Sequence, residues 1–287
     1  MSFLSDIEFI VATRIDNQER AVNAVLTYSF FKNNSVNSKF IFVEDSEKSL
    51  LPDYVTLQPE DKYIFEQTDG NFRKCRSYNI GFKKSERPFV CFLDLDVVVD
   101  PKQIIKVISS MGDCDFGLPY NGICCYLDYN AKKEFIFNQS VDTLKKIVYN
   151  DTNVRYFKGI YLDGIQKRRW GGIQKFDKFT VLSNNSIGGC LIAKREAVDE
   201  IKGFNENFIG WGYEDSEIIS RIRILGKQIL RANRYEDIMY HFPHTKSTAT
   251  TQSPNNANDY NNNHIEIQSI ENKSKEELKE HLESWTW

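Results

Sequence analysis

The sequence predicts an α/β fold around a mostly parallel central sheet, and three observations carry that expectation. Phe89-Val90-Cys91-Phe92-Leu93 is an apolar run without period-two alternation, as expected of a strand covered on both faces. Two more strand-like runs, Ile7 to Ala12 and Lys39 to Val43, precede it, with helical stretches between the three. Each run ends in polar residues: Thr13-Arg14, Glu44-Asp45 and Asp94-Leu95-Asp96. Right-handed βαβ connections bring those ends to one edge of the sheet, where α/β folds bind their ligands.

Taken in order, Met1 to Glu8 lacks the basic and apolar regions of a secretion signal, and no apolar run approaches membrane-spanning length, so a cytoplasmic protein is expected. Asp16-Asn17-Gln18-Glu19 reads as a capping box ahead of Val22, Val25, Leu26 and Ser29 at helical spacing. A second helix is expected from Asn71 to Lys84, with Phe72, Cys75, Tyr78, Asn79 and Phe82 on one face. Asp100-Pro101 reads as the N-cap and first residue of a third, with Ile104, Ile105 and Ile108 inward. The Asp94 and Asp96 carboxylates are therefore expected in a short strand-to-helix loop.

From Asp113 to Phe179 the pattern is less regular. Phe116 to Pro119 and Ile123 to Leu127 read as short strands and Val141 to Val148 as a helix. The basic loop Lys167-Arg168-Arg169-Trp170-Gly171-Gly172 reads either as a cover that meets phosphate or as a solvated turn. Gly188-Gly189, at the start of a strand, suggests close approach of a ligand to the backbone. After Gly210-Trp211-Gly212-Tyr213 a helix opens with Glu214, Asp215 and Glu217 in its first turn. It carries Ile218, Ile222 and Leu225 inward and stops at Gly226. Arg231 to Tyr240 holds one or two strands, followed by the His241-Phe242-Pro243-His244 array. Beyond Ser247 the Asn-rich tract reads as a linker. Ser274 to Trp287 reads as a short helix whose Leu278, Leu282 and Trp285 could dock on the main domain, a second subunit or a membrane surface. The expected organisation is a nucleotide-sugar half at 1–110, an acceptor and catalytic half of the same domain at 111–246, and the tail at 247–287.

Composition narrows the function. The formal net charge is -3 and no basic block dominates, so nucleic acid is not an expected partner. The six cysteines form no C-x-x-C pair or zinc spacing and read as reduced, buried residues. No Gly-x-Gly-x-x-Gly follows the first strand, which argues against NAD or FAD and for phosphate held through a metal. Asp-x-Asp at a strand end suits a divalent cation chelated by nucleotide phosphates, although Asp also follows strands simply as a turn former.

Together, Asp94-Leu95-Asp96, Gly188-Gly189-Cys190-Leu191, Gly203-Phe204-Asn205-Glu206, Trp211-Gly212-Tyr213-Glu214-Asp215 and a following histidine resemble a GT-A glycosyltransferase. The resemblance is to family 2 type bacterial capsule enzymes and the β-1,4-galactosyltransferase and chondroitin polymerase branch, and it covers Ile7 to Lys246. It implies a GT-A fold and an inverting transferase using Mn²⁺ or Mg²⁺. The donor would be a UDP-sugar of Gal, GalNAc, GlcNAc or GlcA type and the acceptor a saccharide or lipid-linked saccharide, in bacterial surface polysaccharide synthesis at the inner face of the membrane. By the same resemblance Asp94 and Leu95 lie at the nucleotide, Asp96 and His244 ligate metal, and His241 is a third candidate ligand. Thr13, Arg14, Asp45 and Arg73 surround the nucleotide and Gly189 the donor sugar. Trp211 stacks on sugars, Gly212, Tyr213 and Glu214 meet the acceptor, and Asp215 is the base. Two departures leave the donor open: Thr13-Arg14-Ile15-Asp16 replaces an arginine-rich loop, and Tyr213 stands where the animal galactosyltransferases carry glycine.

At a helix N-terminus Asp215 is expected to be ionised at neutral pH. Two rivals fit less well. A sugar-phosphate nucleotidyltransferase needs a glycine-rich phosphate loop after its first strand, which Thr13 to Asp16 does not supply. A carbohydrate-binding module would use Trp170, Trp211 and the tyrosines but has no need of aligned carboxylates with a histidine.

Overall fold

The apolar runs of the N-terminal half form the middle of a seven-stranded sheet. The computed structural model describes residues 7–34, 38–162, 165–166, 173–245 and 257–285. Along the chain β1 (Ile7–Thr13), α1 (Gln18–Asn34), β2 (Lys39–Ser46), β3 (Lys62–Gln67), α2 (Lys74–Lys84) and β4 (Phe89–Asp94) alternate. β1 pairs in parallel with β2 and β4, and β2 with β3, so the expected parallel core is present. Every residue of β1 is buried, which is why alternation is absent from its sequence. β3 was not anticipated, because Lys62 to Gln67 is a half-exposed edge strand with polar residues at both ends. Gly81 lets α2 lie flat on the sheet, since a Cβ there would come within 2.4 Å of Ile10 Cγ2.

The chain then changes sheets. β5 (Val97–Val99), α3 (Pro101–Ser110), β6 (Phe116–Leu118), β7 (Cys124–Leu127), α4 (Tyr129–Phe137), α5 (Val141–Val148) and α6 (Asp151–Ile160) follow. After the β8 (Tyr161–Leu162) and β9 (Ile165–Gln166) hairpin come β10 (Gln174–Lys175), β11 (Phe179–Val181), β12 (Cys190–Lys194), α7 (Arg195–Glu200), α8 (Glu214–Ile224), β13 (Ile229–Arg231) and β14 (Met239–His241). The seven-stranded sheet runs β13-β6-β12-β4-β1-β2-β3, with β12 antiparallel to β4, and a five-stranded sheet runs β10-β11-β7-β14-β5. This is the mixed α/β architecture of the GT-A type.

Several local expectations are corrected. Asp94-Leu95-Asp96 is not a strand-to-helix loop but the turn between β4 and β5, because the β-branched run Val97-Val98-Val99 pairs antiparallel with β14 before α3 begins. The cap of α1 is Asn17, whose Oδ1 accepts the Arg20 N–H at 3.0 Å, while Asp16 instead pairs with the Arg20 side chain. Asp100 and Gln103 do form a capping box, but the buried stripe of α3 is Ile104, Val107 and Ile108, with Ile105 half-buried. The basic loop at 167–172 and the tract at 246–256 lie outside the described residues.

The tail carries the largest correction. Asn258 and Asn261 to Asn263 do not form a linker but lie in α9 (Ala257–Glu271), followed by α10 (Lys275–Glu283). Asparagine is tolerated in α9 because tertiary contacts use it. Buried Asn263 donates to the Ile209 carbonyl at 2.9 Å and accepts the Ile209 N–H at 3.3 Å. Ile270, Leu278 and Leu282 form a small core with Ile224, Leu225 and Trp285, and the Arg221 guanidinium lies 4.9 Å from the Trp285 ring. The apolar face of α10 is thus spent on the main domain, which removes Leu278 and Leu282 from any membrane or second-subunit contact. Among the described residues, no helix is long and apolar enough to cross a membrane.

Leu278 is fully buried, so Leu278→Ala should lower the unfolding free energy by about 2–5 kcal/mol in urea titrations. A loss under about 1 kcal/mol would mean that α10 is not packed on α8.

Candidate active site

The turn after β4 ends one sheet and starts the next, and that switch assembles the site. Pairing of β5 with β14 sets Val97 opposite His241, and Phe242 N–H donates to the Asp96 carbonyl at 2.8 Å. Asp96 consequently has His244 Nε2 at 3.0 Å and His241 Nε2 at 3.5 Å. One ligand atom from each of the three falls within 4.8 Å of the others. The His241 ring stacks on Tyr126 at 4.6 Å. His244 Nδ1 lies 3.1 Å from the Thr245 carbonyl, an obligatory acceptor, which fixes the proton on Nδ1 and turns Nε2 toward Asp96. Glu19 holds this loop, accepting from Thr245 Oγ1 at 2.6 Å and from Tyr129.

Burial alone would raise the Asp96 pKa, but His241, His244 and Arg20 hold the carboxyl well below the usual range. Desolvation lowers His241, so its imidazole is neutral and able to ligate. His244 is raised, because its contact with Asp96 outweighs desolvation. One carboxylate and two oriented imidazoles fit a divalent transition ion such as Mn²⁺ better than Mg²⁺, which favours oxygen ligands.

Lys74, at the start of α2, is the second centre. Its Nζ lies 3.0 Å from Asp94 Oδ1, 3.3 Å from Asp215 Oδ1 and 3.5 Å from Glu214 Oε1. Tyr78 also donates to Asp94, at 2.7 Å. Although burial opposes it, the three carboxylates raise the Lys74 pKa well above normal, and the ammonium is permanently charged. Asp215 behaves differently from the expectation. Desolvation outweighs the attraction of Lys74 and, with repulsion from Glu214 and Asp94, pushes it up to about 7.

The glycine pair has an internal explanation. A Cβ on Gly188 would fall 1.9 Å from Asp215 Oδ2, so Gly188 makes room for the carboxylate, and Gly189, at φ +86°, sits against the Met239 side chain. Glu214 is buried and accepts the Gly212 N–H at 2.9 Å as well as contacting Lys74, so it shapes the turn that precedes α8. Tyr213, N-terminal to α8, has φ +69°, a left-handed conformation that costs a residue with a side chain about 1–2 kcal/mol.

Next to Lys74 in the chain, Arg73 donates its N–H to Asp45 at 2.8 Å and its guanidinium at 2.7 Å, with Arg14 at 3.5 Å from the same carboxylate. Arg14 donates to the Asp45 and Gly70 carbonyls and lies over the Phe72 ring. The structure therefore brings Arg14, Asp45 and Arg73 together, as expected of a nucleotide wall. It does not bring Thr13 to the surface: that hydroxyl is fully buried and donates to the Val11 carbonyl. Glu44 is likewise structural, accepting Leu50 and Leu51 N–H groups and the Tyr63 hydroxyl. Leu95, within the turn, is buried rather than open to a nucleotide. Trp211 is 52% exposed and stacks on Tyr260 of α9. Lys74, Tyr78, Arg20, Tyr126 and Tyr260 escaped sequence reasoning. A lysine at a helix start looks like a solvated cation, and only three-dimensional convergence of carboxylates marks it.

The profile of glycosyl transferase family 2 matches residues 19–201, and that of the N-terminal domain of galactosyltransferase matches residues 173–245. Beta-1,4-galactosyltransferase 7 of Drosophila melanogaster is 40% identical over 48 residues, which is 17% of this chain and 15% of that protein's length. The crystal structure of the catalytic domain of the Drosophila enzyme with xylobiose is 14% identical and has a TM-score of 0.47, covering 93% of this chain and 81% of that one. A mutant of the same enzyme in complex with manganese, UDP-Gal and xylobiose is 14% identical with a TM-score of 0.48, covering 86% and 75%.

Mn²⁺ titration followed by electron paramagnetic resonance should show a bound ion in the native protein. Asp96→Ala or His244→Ala should weaken it by at least about 10–100-fold. Equal affinity in both variants would exclude the triad as the site.

Proposed function

We propose, from the premise that the chain belongs to glycosyl transferase family 2, that it transfers a sugar from a UDP-sugar to a saccharide hydroxyl with inversion at the anomeric carbon. The observation that carries this reading is a linked pair of centres. Asp96, which His241 and His244 join in the triad, is two residues from Asp94, and Lys74 joins Asp94 directly to Asp215. A diphosphate leaving group and a hydroxyl nucleophile require such neighbouring but chemically different centres.

In this mechanism Arg14 and Arg73, anchored on Asp45, orient the nucleotide. Trp211 offers an open ring face to the sugars. A divalent cation held by Asp96, His241 and His244 would supply Lewis-acid neutralisation of charge on the diphosphate. Asp215 accepts the proton of the acceptor hydroxyl as its oxygen bonds to the anomeric carbon, while the bond from that carbon to the phosphate oxygen breaks and its electrons leave with UDP. A pKa of about 7 makes Asp215 a stronger base than an ordinary carboxylate. A single base on the face opposite the leaving group gives one displacement and hence inversion. The name of the matched relative supports UDP-galactose as the first donor to try. We extend the proposal to a cytoplasmic reaction in bacterial surface-polysaccharide synthesis, which the Asn- and Lys-rich composition supports.

Asp215→Asn should reduce transfer by about two to four orders of magnitude while UDP binding persists. Near-normal turnover would remove Asp215 as the base. Because Asp215 is raised and must be ionised to act, the rate should climb with pH through about 7. Lys74→Met removes the cation that opposes the rise, so it should move that limb to higher pH. An unmoved limb would contradict the assignment.

A further inference from the structure

The helix α9 lies beyond the residues matched by either family profile, yet it completes one wall of the site. Four rings form a continuous run there. Trp211 stacks on Tyr260 at 5.9 Å, Tyr260 meets Tyr213 at 5.1 Å, and Tyr213 stacks on His264 at 5.0 Å. The Tyr213 and Tyr260 hydroxyls are 3.0 Å apart. We propose that Tyr260 and His264 of α9 extend the saccharide-binding wall begun by Trp211, so that the protein recognises a second sugar ring of its acceptor. The inference rests on the transferase reading above and deepens it by assigning acceptor length.

Two observations separate this role from simple attachment of the tail. First, α9 is already anchored by buried Asn263, Ile267 and Ile270, whereas Trp211 is 52% exposed and His264 is exposed. Rings serving only as glue would be covered. Second, the run is maintained against a backbone cost. Gly212 has φ +116° and packs where a Cβ would lie 2.8 Å from the Tyr260 ring, and Tyr213 holds a left-handed conformation that glycine would adopt without strain. The strained position places a ring between Tyr260 and His264. The chemistry also matches. A pyranose presents an apolar face to a ring and hydroxyls to a polar rim, and the rim here holds the paired tyrosine hydroxyls and the His264 imidazole, whose Nε2 lies 3.3 Å from Gln268. The start of α9 faces the nucleotide flank too, since Asp259 accepts a hydrogen bond from Asn71. An acceptor on this wall therefore lies toward the proposed nucleotide site.

The test uses the full chain with UDP and Mn²⁺. Binding of xylose, glucose and N-acetylglucosamine and of their β-linked disaccharides is measured by tryptophan fluorescence and calorimetry, with acceptor KM where transfer is seen. The disaccharide should bind at least about fivefold tighter than its monosaccharide, and Tyr260→Ala and His264→Ala should each erase most of that gain. Tyr260→Phe, which keeps the ring, should retain it. UDP affinity serves as the check that each variant is folded. A disaccharide gain that survives both alanine variants, or its absence in the native protein, overturns the inference. Native protein that binds neither UDP nor any saccharide would instead overturn the transferase reading beneath it.

Discussion

One half-buried ammonium among three carboxylates is the constraint on which the rest of the site depends. Lys74 comes from α2, Asp94 from the end of β4, and Glu214 and Asp215 from the first turn of α8. α2 and β4 follow one another in the chain whereas α8 comes much later, so the ion cluster ties α8 to both. It also leaves a surplus of negative charge, because a single cation faces three anions. That surplus, with desolvation, is what carries Asp215 out of the ordinary carboxylate range. Removing Lys74 would leave three neighbouring carboxylates without their shared cation, which ties the geometry of the site to the stability of the fold.

The second constraint is topological. The chain leaves the central sheet at Asp94 and joins the smaller sheet at Val97, and the intervening turn is too short to drift. Because β14 pairs with β5 in a fixed register, backbone hydrogen bonding brings His241 beside Asp96, where its ring stacks on Tyr126. Glu19, from the start of α1, then latches the following loop through Thr245 and aims His244. Three distant segments thus converge on one carboxylate.

Much of this was legible in the sequence, and the pattern of success has physical causes. The buried parallel strands announced themselves because a strand covered on both faces must be continuously apolar. Asp94, Asp96, Asp215 and the histidines stood out because their types are rare together at strand and helix ends. The edge strand β3 was missed because its half-solvated residues carry no such signal. The switch of sheets at Asp96 was missed because Val97 to Val99 is too short to separate a strand from the lead-in to a helix. Asn258 to Asn263 misled because composition speaks to intrinsic preference, whereas Asn263 earns its helical place through the Ile209 backbone. The Gly188-Gly189 pair was expected to let a ligand approach the backbone, whereas the group against Gly188 is the protein's own Asp215 and that against Gly189 is Met239. Lys74 could not be found at all, since nothing local distinguishes it from a surface lysine.

The account stands on two adjoining centres that act on the two ends of one displacement. The most direct measurement is anomalous diffraction from crystals of the protein soaked with Mn²⁺ and UDP. The account predicts an ion bound to Asp96 and the two imidazoles, in contact with the diphosphate, with the Asp215 carboxylate facing the vacant sugar position across Lys74. An ion bound elsewhere, or a diphosphate that leaves Asp215 outside the same cavity, would contradict it.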